Sequence, residues 1–183
     1  MTQDLQHIPL TKIDGTAAQL KDYQGKVLLI VNVASKCGLT KQYTGLEQLY
    51  RDKQASGLEV LGFPANNFKQ QEPGTDEEIA AFCSGTYDVT FPLFSKLSVK
   101  GEDQHPLYAA LTAALPHALD TGPFRERLIS RDIPVGSESE VLWNFEKFLI
   151  DRSGQVVGRF APDIEADDAR LLGAIEVELG RAG

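Results

Sequence analysis

Two cysteines, one methionine, one tryptophan and three histidines are all that 183 residues provide of those types. Two cysteines are too few for a disulfide scaffold or a four-thiolate zinc knuckle. The histidines, His7, His105 and His117, show no metal-ligand spacing with one another or with the cysteines. Basic side chains are outnumbered, 18 against 26 acidic, for a formal net charge of −8. A general nucleic-acid binder needs a basic face, so the balance argues against that class and, more weakly, against an anionic membrane surface. No stretch approaches the roughly 20 apolar residues of a transmembrane helix. The N-terminal M-T-Q-D-L-Q-H-I-P-L has neither region of a secretory signal. Missing too are G-x-S-x-G, G-x-x-x-x-G-K-[ST] and G-x-G-x-x-G, which leaves serine-hydrolase, P-loop and dinucleotide chemistry unsupported. With 42% apolar and 24% charged residues, the chain has the balance of one globular domain with its own core, expected in the cytoplasm.

What is present punctuates clearly. Ile8 to Ile13 and Ala17 to Leu20 flank Asp14-Gly15, a hairpin signal. The run V-L-L-I-V within Lys26 to Val33 reads as a strand buried on both faces, hence central and parallel. Tyr43, Leu46, Leu49, Tyr50 and Lys53 follow at helical spacing up to Ser56-Gly57, and Leu58 to Phe63 is a second buried strand. Thr75 and Glu78 have the spacing of a capping box that opens a helix to about Ser84. His105-Pro106 starts another, running to about Leu115. Residues 116–140 carry three prolines, two glycines and no firm period, so an irregular insertion is expected there. Trp143 to Ile150 and Gln155 to Phe160 read as a hairpin, and Leu171, Leu172, Ile175 and Leu179 as a closing helix. This order predicts an α/β, thioredoxin-like fold: a mixed β-sheet flanked by helices, preceded by an N-terminal β-hairpin.

Cys37 lies four residues beyond the first buried strand and just ahead of a helix. There the unpaired N–H groups of a helix start favour thiolate over thiol, and open α/β sheets place their sites at the carboxyl ends of strands. Free cysteines are more often core fillers, so placement alone does not make Cys37 functional. Cys83, inside the capping-box helix, reads more readily as core, and the spacing is far from C-x-x-C.

Longer blocks carry more information. V-N-V-A-S-K-C-G-L-T at 31–40, L-G-F-P-A-N-N-F at 61–68, Q-E-P-G at 71–74 and L-W-N-F-E-K-F-L at 142–149 resemble the signature blocks of the glutathione peroxidase family. T-F-P-L-F-S-K at 90–96 and H-P-L-Y at 105–108 resemble further family segments. The similarity runs from about Thr11 to Leu179 and is strongest to the bacterial, cysteine-containing branch. It implies that Cys37 is the peroxidatic residue, that Gln71, Trp143 and Asn144 are its site partners, and that Cys83 is the resolving cysteine. Ala65 stands where many relatives have cysteine, and Asn67 where Gln is usual; neither departure touches the implied cycle.

The implied activity is thiol peroxidation without cofactor or metal. Cys37 attacks a hydroperoxide and becomes a sulfenic acid, Cys83 condenses with it, and an external thiol reduces the disulfide. Thioredoxin is the expected reductant ahead of glutathione, because Cys83 gives the chain its own resolving step. The amides of Gln71 and Asn144 and the indole N–H of Trp143 are donors suited to stabilising developing charge. A monomer is expected. The competing reading is a peroxide sensor that relays oxidation to a partner protein.

Overall fold

The computed structural model describes residues 4–181. A short antiparallel pair, β1 (Leu10–Thr11) and β2 (Ala17–Ala18), turns at Asp14-Gly15 as the dipeptide predicts. The strand β3 (Val27–Val33) is buried at every residue. It leads through a turn into α1 (Gln42–Lys53) and back through β4 (Leu58–Pro64), which pairs with β3 in parallel from Val27↔Leu58 to Val33↔Pro64. At the junction Gly57 takes a left-handed φ of 108°, a conformation open to glycine at little cost.

Next comes α2 (Asp76–Tyr87), opened by the expected capping box and extending three residues past Ser84. The following helix, α3 (Pro106–Ala114), starts as predicted: the His105 imidazole accepts from the Leu107 N–H at 3.0 Å. The insertion is not wholly irregular. It contains α4 (Gly122–Ser130), with Pro123 in its first turn and Phe124 and Leu128 buried one turn apart. Two apolar anchors over nine residues are too short a pattern to stand out by periodicity. Both ends of the insertion are tied down by Arg159, which donates to the carbonyls of Leu115, Ser139 and Glu140.

The last hairpin pairs β5 (Lys147–Ile150) with β6 (Val156–Phe160), and α5 (Ala169–Leu179) closes the chain. The strand expected from Trp143 begins only at Lys147. Phe145 takes φ 68°, which breaks an extended run that composition alone favours. The sheet order is β4-β3-β5-β6, with β3–β5 antiparallel, so the sheet is mixed.

Alternation along β3 divides the core. Leu28 and Ile30 face Leu107, Tyr108 and Leu111 of α3 and Phe124 and Leu128 of α4. Val27, Leu29, Val31 and Val33 face α1, α2 and α5 through Tyr43, Leu46, Ile79, Cys83, Leu171 and Ile175. Fully burying one such aliphatic side chain contributes about 1.5–3 kcal/mol, and β3 supplies six on two faces. That rigid strand ends at Val33, four residues before Cys37.

Candidate active site

The loop after β3 is shaped by one hydroxyl. Thr40 Oγ1 accepts the Cys37 N–H at 3.0 Å and donates to the Ala34 carbonyl at 2.8 Å. The sulfur of Cys37 accepts the Leu39 N–H at 3.3 Å. Helix α1 begins five residues beyond Cys37 rather than at it, so the observed backbone donor comes from the tight turn that leads into the helix. Cys37 is partly exposed, and both cysteines are free thiols.

A second loop meets the first. The Lys36 N–H donates to the Gln71 carbonyl at 2.9 Å, which places Gln71 beside the residue preceding Cys37. Lys69 and Gln70 enter Gln71 at φ 55° and 52°. Two successive non-glycine residues in the left-handed region cost on the order of 1–2 kcal/mol each, and such strain concentrates at functional sites. The turn is closed by the Gln71 N–H to the Phe68 carbonyl at 3.2 Å and by the Glu72 N–H to Asn66 Oδ1 at 2.9 Å.

A third segment completes the group. Asn144 Nδ2 donates to Gln71 Oε1 at 2.9 Å across 73 positions of sequence. The bond engages Gln71 through its oxygen, so its two Nε2 hydrogens stay available to another acceptor. Trp143 is nearly buried and packs its ring 5.2 Å from Phe68. Of the predicted site residues, Gln71 thus touches the Cys37 loop directly, Asn144 reaches it through Gln71, and Trp143 precedes Asn144 and packs on Phe68. Lys100 adds a cation over the Phe68 ring at 5.1 Å.

Three supporting residues escaped the sequence reading. Asn32, buried inside the apolar run of β3, donates to the Trp143 carbonyl at 3.1 Å and accepts the Phe145 N–H on its own carbonyl at 2.6 Å. A lone Asn in V-L-L-I-V-N-V was the available signal. Glu146 accepts the Leu142 N–H at 3.0 Å and pairs with Arg159 at 2.8 Å, both side chains essentially fully buried. Together these bonds fix the turn that presents Trp143 and Asn144. Thr40 is the third.

Cys83 is placed differently. It lies on α2, fully buried, one turn from Ile79 and in the same cluster as Tyr43. Burial pushes its thiol up to about 11; the neighbouring Tyr43 hydroxyl opposes the shift, and the Glu72 carboxyl adds to it. Cys37 packs partly against the same cluster. The side chain of Glu72 is itself buried, and desolvation raises its carboxyl above the usual range. Among the described residues no group of three or more His, Cys, Asp and Glu could hold a metal ion. Nor is any helix among the described residues long and apolar enough to cross a membrane.

The glutathione peroxidase family model matches residues 5–112, which include Cys37, Gln71 and Cys83. The thioredoxin/glutathione peroxidase BtuE of Escherichia coli (strain K12) is 47% identical over 171 residues, 92% of this chain and 93% of its own length. The chain belongs to the glutathione peroxidase family. It is accordingly a peroxidase, with a hydroperoxide as substrate and a thiol-type reductant. The crystal structure of Trgpx in apo form matches this peroxidase with a TM-score of 0.73 at 33% identity, covering 100% of this chain and 99% of that one. A thioredoxin family thiol:disulfide interchange protein from Chlorobium tepidum TLS matches with a TM-score of 0.65 at 14% identity, covering 98% of each chain. That likeness concerns the fold alone, and the fold is thioredoxin-like as the element order predicted.

Proposed function

We propose that this peroxidase works through a two-cysteine cycle in the cytoplasm, with thioredoxin as its reductant. The observation that carries the reading is the hydrogen-bonded contact of Gln71 with Asn144 beside the Cys37 loop, with a second free thiol, Cys83, in the apolar cluster against which Cys37 packs. Cys37 attacks the terminal peroxide oxygen. The O–O bond breaks, water or an alcohol leaves, and the sulfur becomes a sulfenic acid. The Gln71 amide and the Trp143 indole donate to the charge that develops on oxygen, and Asn144 holds Gln71 in place. Cys83 then condenses with the sulfenic acid, releasing water, and the disulfide passes to an external dithiol by exchange. Because Cys83 is buried within α2, condensation requires that helix to open.

Glutathione is the second reading of the reductant. It is favoured by Lys36 next to Cys37 and by Lys100 over Phe68, two cations available to an anionic thiol. A steady-state comparison separates the two: turnover with thioredoxin is expected to exceed turnover with glutathione, and the reverse result would reject the thioredoxin cycle. Cys37→Ser is expected to abolish peroxide consumption with either reductant while the fold is kept, and residual turnover in it would show that the nucleophile lies elsewhere. A relay to one partner protein, the remaining alternative, would leave a mixed disulfide with that partner instead of turnover with thioredoxin.

A further inference from the structure

Beneath the Cys37 loop lies a cleft of about 340 Å³. Ser35 and Lys36 form one wall and Ile79 and Phe82 of α2 form another, with Glu72 between them. The cleft thus joins the loop that carries Cys37 to the helix that carries Cys83. Glu72 is 1% exposed, and neither of its carboxylate oxygens has a hydrogen-bond partner among the described residues. Beside it the Ser35 hydroxyl is likewise buried without a partner at hydrogen-bond geometry, yet Ser35 lies close enough for its O–H and N–H to favour the carboxylate. The Glu72 backbone is held independently, by Asn66 at its N–H and by the Lys96 ammonium at its carbonyl. A buried, unpartnered carboxyl is costly, and the loop's shape does not depend on it.

Closing a disulfide from a sulfenic acid needs two proton movements. The attacking thiol must lose its proton, and the departing hydroxide must gain one. In the closed state Cys83 is held almost wholly as thiol. The histidines lie elsewhere: His7 is bonded to Asp4, His105 caps α3 and His117 faces Glu138. Resting on the two-cysteine reading above, we infer that Glu72 is the proton carrier of the resolving step, taking the proton from Cys83 and returning it to the hydroxide that leaves Cys37. The S–H bond of Cys83 breaks as its proton passes to the carboxylate. The sulfur's electron pair forms the S–S bond while the S–O bond of the sulfenic acid breaks. Cys83 is oxidised, Cys37 is reduced from sulfenic acid to disulfide, water leaves, and Glu72 is again a carboxylate.

The groups facing Glu72 set its proton affinity. Burial raises it, while the Ser35 hydroxyl and backbone N–H and the Lys96 ammonium favour its charge. Cys83 from α2 and Tyr43 from α1 lie near enough to feel that charge, and Lys36 and Glu78 line the same cleft. Burial makes it a stronger base than a surface carboxylate.

Rapid-quench mass spectrometry after one equivalent of peroxide, across a pH series, tests the assignment. In Glu72→Gln, formation of the Cys37 sulfenic acid should be unchanged while disulfide closure slows by on the order of a hundredfold. The wild-type closure rate should fall on the acid side as Glu72 protonates, and the variant should lose that limb. Glu72→Asp should keep the limb and part of the rate. Closure in Glu72→Gln at the wild-type rate, or with the wild-type acid limb, would overturn the inference alone. A wild type without an acid limb would do the same even if the variants fold poorly. Absence of any Cys37–Cys83 disulfide in the wild type would instead overturn the two-cysteine reading and this inference with it.

Discussion

At the scale of single residues, the site is an assembly of weak signals joined by strong geometry. Gln71 and Asn144 are ordinary polar residues until one donates to the other beside the Cys37 loop. Removing one preorganised donor from a transition state costs about 3 kcal/mol, on the order of a hundredfold in rate. Gln71→Ala should therefore slow rapid-mixing oxidation of Cys37 by that order without impairing thioredoxin's reduction of a preformed disulfide. Asn144→Ala should slow the same step, because it frees Gln71 to rotate. Wild-type oxidation rates in both would show that the contact plays no part in the chemistry. None of this convergence is visible in local sequence. Gln71 and Asn144 meet only through the fold, so their grouping with Cys37 was suggested by the family-like blocks and not by spacing. Thr40, Asn32 and the Glu146–Arg159 pair act through backbone bonds, and no periodicity encodes such bonds.

Among the elements, α2 is where structure and chemistry pull against each other. Its N-terminus is anchored by the Thr75–Glu78 capping box and by Asp76, which accepts from the Ser95 hydroxyl and the Lys96 N–H. Its last turn carries no basic residue to complement the helix dipole, and it ends at Asp88 with a left-handed φ of 53°. Only Ile79 and Cys83 are fully buried along it. A helix so lightly held opens at modest cost, and the C-terminal half that carries Cys83 should open first. Gly85 sits in that half, with open space where a Cβ would point. Gly85→Ala should stabilise the helix by about 1 kcal/mol, slowing disulfide closure about fivefold while Cys37 oxidation stays unchanged. Faster closure in the variant would mean that α2 does not have to unwind. The capping box that opens α2 was legible because all its information lies within four residues. Helix α4 was not, since only Phe124 and Leu128 mark its buried side. The Trp143–Glu146 segment misled because its apolar residues suit a strand, while the buried bonds from Asn32 and Glu146 hold it in a turn.

For the molecule as a whole, the sheet that fixes the site also buries a charge-bearing group. Lys147 on β5 is fully buried, donating to Gln42 Oε1 at 2.6 Å and to the Pro162 carbonyl at 2.9 Å. Desolvation lowers its ammonium from 10.5 to about 7. Below about pH 7 folded and unfolded chains both hold this proton; between 7 and about 10.5 the unfolded chain holds more, so stability rises with pH there. Cys83 acts oppositely: its raised thiol makes the unfolded chain the better acid between about pH 9 and 11, and stability falls with pH in that window. Denaturant unfolding should show the wild type gaining on Lys147→Met from pH 7 to 9. A pH-independent difference between the two would mean that Lys147 is charged in the core.

All of these scales meet in a single covalent claim, that Cys83 captures the sulfenic acid of Cys37. Mass spectrometry of proteolysed wild-type protein after one equivalent of peroxide tests it directly. The account predicts a peptide joining Cys37 to Cys83, lost on reduction by thioredoxin and absent in Cys83→Ser, which should retain the sulfenic acid. Peroxide consumption with no such peptide would contradict the account and leave Cys37 to be resolved by a thiol from outside the chain.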